Sequence, residues 1–412
     1  MRYIINHKVV LSRPPEGPVA SHLSSFAQWV SEQGYAANSL WQRVHLAACF
    51  SQWLGKQRVR LPSISTEHPR QYLKHRARRV RPTSTDSAAL RQLMDFLRRQ
   101  GLIGAEKQSS GRLSPVEQCL NSFERYLSEE RSLSTATIVN YVPFIRSFLD
   151  DRFGNNQVRI ERLCASDIVR FVQRAAPRLH LKRAKLLTSA LRSFLQYARY
   201  RGLIALDLAA AVPTVANWSM TSIPRAIPPD QVRQLLASIN RHTAMGRRDY
   251  AVLLLLSRLG LRSSEVAFLE LDDIDWKAGR FSVRGKSGRR TDLPLPDEVG
   301  KALADYLQHG RPQSASRRVF LRARAPLRGF LSQCAIGSIV KHTLGRAGII
   351  APTKGAHQFR HGLATEMLRR GASLAEIGEV LGHRSAETTK IYTKVDLDAL
   401  RRLALPWPGG VR

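Results

Sequence analysis

Tyr392 lies nine residues after His383, and His383 follows a Leu381-Gly382 step. Upstream runs His357-Gln358-Phe359-Arg360-His361, and farther upstream Leu259-Gly260-Leu261-Arg262-Ser263-Ser264-Glu265. A phenol is a nucleophile once its proton is taken, and a guanidinium pairs with two oxygens of a phosphate. Two arginines, two histidines and a tyrosine in this order suit attack on a DNA phosphodiester while cations hold the phosphate.

Each of these side chains needs an element to aim it. Gly260 is placed to end a helix in a left-handed cap, so that the following turn points Arg262 inward with Glu265 near enough to orient it. His357 and Arg360, three apart, share one helix face, with His361 beside them as a packing or supporting histidine. Gly382 ends a further helix, Ser385 with Glu387 starts the next, and His383 falls at the joint, where a helix N-terminus favours an anion. Tyr392 then comes about two turns along that second helix. Lys286 stands at the tip of a predicted β-hairpin, with strands over Phe281–Arg284 and Arg290–Leu295 joined by Gly285-Lys286-Ser287-Gly288. A lysine there reaches a leaving oxygen and supplies a proton; a solvated turn lysine is the plainer alternative.

Two other chemistries are set aside on spacing. Gly-Lys-Ser invites a phosphate-loop reading, but the required first glycine is Arg280 and a strand follows rather than a helix. His357-x-x-x-His361 lacks a third metal ligand, and Arg360 would sit beside the ion. Cys49, Cys119, Cys164 and Cys334 form no C-x-x-C pair, so neither a zinc site nor a disulfide framework is expected.

Of the 412 residues, 65 are Lys or Arg and 32 are Asp or Glu, a net charge of +33 that points to a polyanionic partner, with nucleic acid the usual one. The opening residues run straight into charge and proline, unlike a signal peptide, and the apolar run Ala251 to Leu256 is far too short to span a bilayer. A cytoplasmic, nucleoid-associated location with no membrane partner is the expectation.

Stretches rich in Pro, Ser and Gly divide the chain into residues 1–110, 111–212, a linker at 213–229, and 230–412. The first two parts look like one helical design used twice. Ser25-Phe26 through Ser31-Glu32 matches Ser122-Phe123 through Ser128-Glu129, and Gly101-Leu102-Ile103 matches Gly202-Leu203-Ile204. Before the last helix of each copy lies a basic connector, with Lys74, Arg76, Arg78, Arg79 and Arg81 in the first. In the second it holds Arg178, Lys182, Arg183 and Lys185. Recurrence at matched places favours phosphate contact over a merely solvated face. Trp29, Trp41, Phe50 and Trp53 read as core residues of the first copy. The third part opens with Asp230 as helix N-cap, continues with a buried helix over Arg248 to Leu259 and the hairpin, and is mostly helical from Ala335.

From about Glu117 to Thr393 the chain resembles the tyrosine recombinase (phage integrase) family. The resemblance rests on Arg262, Lys286, His357, Arg360, His383 and Tyr392, with Ala364-Thr365 and Thr388-Thr389 at family-like places. It implies a mainly α fold, with two small SAM-like helical bundles and an α+β catalytic domain with a small sheet. The bundle at residues 22–103 is an addition to the usual core-binding domain. The implied activity is site-specific DNA recombination through a 3′-phosphotyrosyl link, by four protomers or related partner recombinases on two duplex sites, without metal, ATP or other cofactor. In that scheme Arg262 and Arg360 neutralise the non-bridging oxygens and His383 donates a hydrogen bond. Lys286 protonates the 5′-oxygen and His357 assists proton movement at the tyrosine or phosphate. A type IB topoisomerase and a non-catalytic DNA-binding regulator are the alternatives; filled site positions argue against the second.

Overall fold

The computed structural model describes residues 3–5, 9–81, 83–104, 114–154, 156–215, 223–285, 288, 290–383 and 385–395. Lys286, residues 105–113, residues 216–222 and the residues after 395 lie outside the described residues. The chain forms two compact units, one of residues 1–105 with 222–412, the other of residues 106–221. Among the described residues no helix is long and apolar enough to cross a membrane.

The first helical module begins with a short antiparallel pair, β1 (Tyr3–Ile5) and β2 (Val9–Leu11). Four helices follow: α1 (Leu23–Glu32), α2 (Ala37–Lys56), α3 (Glu67–Ala77) and α4 (Ser84–Arg99). The second module has α5 (Pro115–Arg125), α6 (Thr135–Phe153), α7 (Ala165–Ala175) and α8 (Leu181–Tyr200). Each module has its own apolar core.

The sequence repeat is also a structural one. Phe26 packs on Phe96 with ring centroids 5.5 Å apart, and the matched Phe123 packs on Tyr197 at 5.3 Å. Trp29 meets Phe96 at 5.6 Å, as Tyr126 meets Tyr197 at 5.0 Å. Both last helices end on a left-handed glycine, Gly101 at φ 68° and Gly202 at φ 69°. In both, the next amide reaches back to the same place, Leu102 N to Leu97 O at 3.0 Å and Leu203 N to Ala198 O at 2.9 Å. That geometry satisfies carbonyls the helix end leaves open.

Several local expectations change. The second basic group is not a connector: His180 caps α8, so Lys182, Arg183 and Lys185 lie in its first turns, while Arg178 ends a 3-10 turn. Lys74 and Arg76 belong to α3, and only Arg78, Arg79 and Arg81 lie between helices. Arg76 turns inward, its Nε 3.8 Å from Asp86, because the capping carboxylate of α4 faces it. Lys74, Arg78, Arg79 and Arg81 are exposed. Trp41 is not core. It is 40% exposed, stacks on His45 and donates its Nε1–H to Val10 O at 3.0 Å, because its face of α2 covers β2 rather than the bundle interior.

The third part opens with α9 (Pro229–Ala237), whose N-cap is Pro228 rather than Asp230. Pro229 supplies a preset helical φ at the first position, so the helix starts earlier and Asp230 instead pairs with Arg233. The long buried helix is α10 (Ala244–Arg258), followed by the short α11 (Ser263–Ala267). A three-stranded antiparallel sheet comes next, β3 (Ile274–Asp275), β4 (Arg280–Arg284) and β5 (Arg290–Pro294), in the order β3-β4-β5. The expected hairpin has Phe281 opposite Leu293 and Val283 opposite Thr291. Then come α12 (Asp297–His309), α13 (Cys334–Arg346), α14 (His357–Arg369), α15 (Leu374–Val380), α16 (Ala386–Thr389) and a 3-10 turn, Lys390–Val395. Alpha-10 is the axis of the main core, and a small second core of Ala364, Ile377, Leu381 and Tyr392 joins α14, α15 and the 3-10 turn. Within this unit the first module touches the third part where Leu327 N donates to Gln33 O at 3.0 Å.

Candidate active site

Alpha-10 ends in a turn through Gly260 at φ 61°, where an added Cβ would come within 2.9 Å of Leu381. Only glycine fits that left-handed, crowded position. The chain restarts at once, with Arg262 as N-cap of α11. Glu265, one turn in and buried, accepts from the Arg262 backbone N–H and from its Nη1, each at 2.7 Å. One carboxylate thus fixes both the backbone and the guanidinium, as the sequence suggested.

Arg360 enters from α14 and is 5% exposed. Its Nη1 donates to Gly260 O at 2.7 Å and its Nη2 to Leu381 O. Arg262 Nη2 donates to the next carbonyl, Gly382 O, at 3.2 Å. The two arginines, nearly 100 residues apart in sequence, therefore converge on the turn that ends α15. That turn is a left-handed cap at Gly382, φ 60°, closed by His383 N to Gly378 O at 2.8 Å.

His383 emerges from the cap at the expected joint, and Ser385 caps α16 by accepting from Glu387 N. Its Nδ1 is 2.8 Å from Thr389 Oγ1. When the threonine hydroxyl donates, Nε2 keeps its hydrogen and is free to donate. Burial, then the charges of Arg360 and Arg262, hold His383 down to about 4. It is therefore neutral at pH 7.

An unfolded histidine protonates near 6.5 and the folded one near 4, so stability contributed by this group is lost as pH falls through that interval. In ring-proton NMR of the free protein, His383 should titrate around pH 4, and replacing Arg360 with Met should move it upward. A titration near 6.5 in the parent protein would contradict the cation-rich setting.

Tyr392 is not on a second α-helix but in the 3-10 turn that follows α16, because α16 spans only Ala386–Thr389. It is 1% exposed, and burial raises its pKa while Arg360 opposes the rise. Its ring lies parallel to that of His383, centroids 6.5 Å apart. Its hydroxyl is 3.0 Å from His361 Nδ1. His361 is thus in direct contact with the tyrosine oxygen, a closer role than packing. His357 is exposed at the start of α14, its ring 6.3 Å from that of His361.

A cleft gathers both arginines and His383, while Tyr392, His361 and His357 are not among its lining residues. Arg262, Glu265, Arg360, Gly382 and His383 line one side, and Val283, Gly285, Thr291 and Leu293 of the hairpin line the other. Lys286 follows Gly285 in sequence and is itself outside the described residues. Two guanidinia, a neutral imidazole and a buried phenol nearby form a setting for an oxyanion.

Comparison with known proteins identifies the family. The description "Phage integrase family" matches residues 225–398, and "Phage integrase, N-terminal SAM-like domain" matches residues 120–202. "Putative integrase/recombinase y4rA" of Sinorhizobium fredii (strain NBRC 101917 / NGR234) is 57% identical over 409 residues, 99% of each chain. "Tyrosine recombinase XerD" of Mycobacterium tuberculosis (strain ATCC 25618 / H37Rv) is 32% identical over 309 residues, 70% of this chain and 96% of its own. A solved structure described as "XerH site-specific recombinase bound to palindromic difH substrate: post-cleavage complex" shares the fold, with TM-score 0.55 and 19% identity over 75% of this chain and 93% of that one. The chain belongs to the phage integrase family of tyrosine recombinases, enzymes of DNA recombination.

Proposed function

We propose that this recombinase cuts and rejoins duplex DNA at specific sites through a 3′-phosphotyrosyl link on Tyr392. The observation that carries the reading is the convergence of Arg262 and Arg360 on the Leu381–Gly382 turn that bears His383, with Tyr392 packed beside it. Tyr392 attacks the scissile phosphorus and a 5′-hydroxyl leaves. Arg262 and Arg360 neutralise the non-bridging oxygens, and His383 donates from Nε2. Lys286, next to a cleft-lining glycine, protonates the leaving 5′-oxygen. His357, at the exposed start of α14, assists proton exchange at the phosphate. A 5′-hydroxyl from a partner strand then attacks the phosphotyrosine, so bond energy is kept and no cofactor is consumed. Four protomers, or this chain with related recombinases, hold two DNA sites. The six positions carry functional residue types, which disfavours a non-catalytic regulator, and the added helical module favours site-specific assembly over simple relaxation of DNA.

The test is a nicked duplex whose short 5′-hydroxyl fragment diffuses away after cleavage. A covalent adduct should accumulate, and peptide mapping should place the DNA on Tyr392. Absence of any adduct on DNA that the protein binds specifically would overturn the reading.

The two modules in front contribute phosphate contacts, with Lys74, Arg78, Arg79 and Arg81 in the first and Arg178, Lys182, Arg183 and Lys185 in the second. Arg183 also lies 4.9 Å over the Phe144 ring, which fixes its direction. Each neutralised phosphate adds about 0.9 to the slope of log affinity against log salt. Changing Lys74, Arg78, Arg79 and Arg81 together to Gln should lower that slope by roughly 3 to 4 and leave the contact of Gln33 with Leu327 intact. An unchanged slope would mean the first module binds protein rather than DNA.

A further inference from the structure

The group bonded to the attacking oxygen is outside the six residues assigned above. His361 Nδ1 lies 3.0 Å from Tyr392 Oη, joining α14 to the 3-10 turn 31 residues on. The small core of Ala364, Ile377 and Leu381 holds both elements in place around this contact. We propose that His361 is the proton acceptor for Tyr392, taking the phenol proton as the phosphotyrosyl bond forms and returning it when that bond is broken. The proposal rests on Tyr392 being the nucleophile.

The other nearby groups are poorly placed for this task. Arg360 is a cation whose Nη1 and Nη2 are bonded to carbonyls. His383 has Nδ1 on Thr389, and its ring lies parallel to the phenol. His357 is exposed at the helix start. His361 meets the hydroxyl within hydrogen-bonding distance and carries a lone pair when Nδ1 is unprotonated.

The surroundings keep it in that state. Burial, then the neighbouring His357 and Arg360, lower its pKa from the ordinary 6.5. The groups facing it are His357 and Arg360 on its own helix, Tyr392 on the 3-10 turn and His383 at the end of α15. None is an anion in the free protein at pH 7. A scissile phosphate brings a negative charge that favours the imidazolium, so the base strengthens when substrate arrives.

The step balances. The Oη–H bond breaks and its proton goes to His361 Nδ1. The Oη–P bond forms while the P–O5′ bond breaks, and its electron pair leaves with O5′, which takes a proton from Lys286. Rejoining runs the same transfers in reverse.

The test uses the full chain and the nicked duplex, with cleavage measured in single turnover between pH 5 and 8. His361→Asn keeps an acceptor oxygen for the phenol but takes no proton. Its cleavage should fall on the order of 10², with DNA affinity unchanged and the decline on the acid side abolished. His361→Ala should recover at least about tenfold with added imidazole, since general base catalysis is worth more than that. A His361→Asn protein with the parent rate and the parent acid limb overturns the proposal. So does a His361→Ala protein that melts like the parent, is inactive and ignores imidazole. Should His361→Ala fold poorly, the Asn variant decides. Tyr392→Phe separates the two readings: an adduct from that variant sinks the nucleophile assignment itself, whereas its inactivity beside a fully active His361→Asn sinks only the role of His361.

Discussion

Tyr392→Phe binds its DNA site with parent affinity and forms no covalent adduct. The ring is 1% exposed and packs on Ala364, Ile377 and Leu381, all of which phenylalanine preserves. What disappears is the hydroxyl, and with it the bond to His361 Nδ1. Losing one such bond and leaving one half-buried acceptor costs about 1–3 kcal/mol, too little to unfold a domain of ordinary stability. The catalytic loss is of another order, because phenylalanine offers no oxygen to attack the phosphorus. Gel shifts, a melting curve and the nicked duplex together check the claim. An adduct formed by the folded variant would move the nucleophile to another residue.

How much of this was legible in the chain depends on whether the signal was local. Gly260 with Glu265, and Gly382 with Ser385, state their own geometry: a left-handed stop followed by a cap is written in a few neighbouring residues. The hairpin was readable for the same reason, as alternating strands around Gly285 and Gly288. The duplication was readable because Phe26 and Phe123 recur with the same glycine-ended helix, and the packed aromatic pairs repeat with them. Side-chain direction was not readable. Arg76 sits in a basic run, yet it faces the carboxylate that caps the next helix. Trp41 looks like core by type, but only the path of β2 decides which face of α2 is covered. The His361–Tyr392 contact depends on how α14 packs against the final turn, which no spacing within either segment encodes. The carbonyls that Arg262 and Arg360 share could not be foreseen at all, since backbone atoms carry no sequence signature.

Those carbonyls set the terms for Arg360→Met, where cleavage should drop about 10³-fold or more while the protein stays folded. Removing a single donor from an oxyanion site costs roughly 10²–10³ in rate, and a guanidinium offers several donors together with its charge. Two opposed effects act on stability. Gly260 O and Leu381 O lose their donors, at about 1–3 kcal/mol each. Against this, burial and the charge of Arg262 hold Arg360 down to about 10, from an ordinary 12.5. That lowering corresponds to roughly 3 kcal/mol against the charged form, which an apolar side chain of similar length releases. The two nearly cancel, so stability should stay within about 3 kcal/mol of the parent. In the free protein burial and then Arg262 lower the Arg360 pKa while Glu265 opposes the shift, and on the proposed mechanism the DNA phosphate adds a second negative partner for the two cations. Denaturant melts and single-turnover cleavage measured on the same preparation test both halves. A variant that folds, binds DNA and cleaves within tenfold of the parent would show that Arg360 is a structural tie between α10, α14 and α15 and not part of the phosphate clamp.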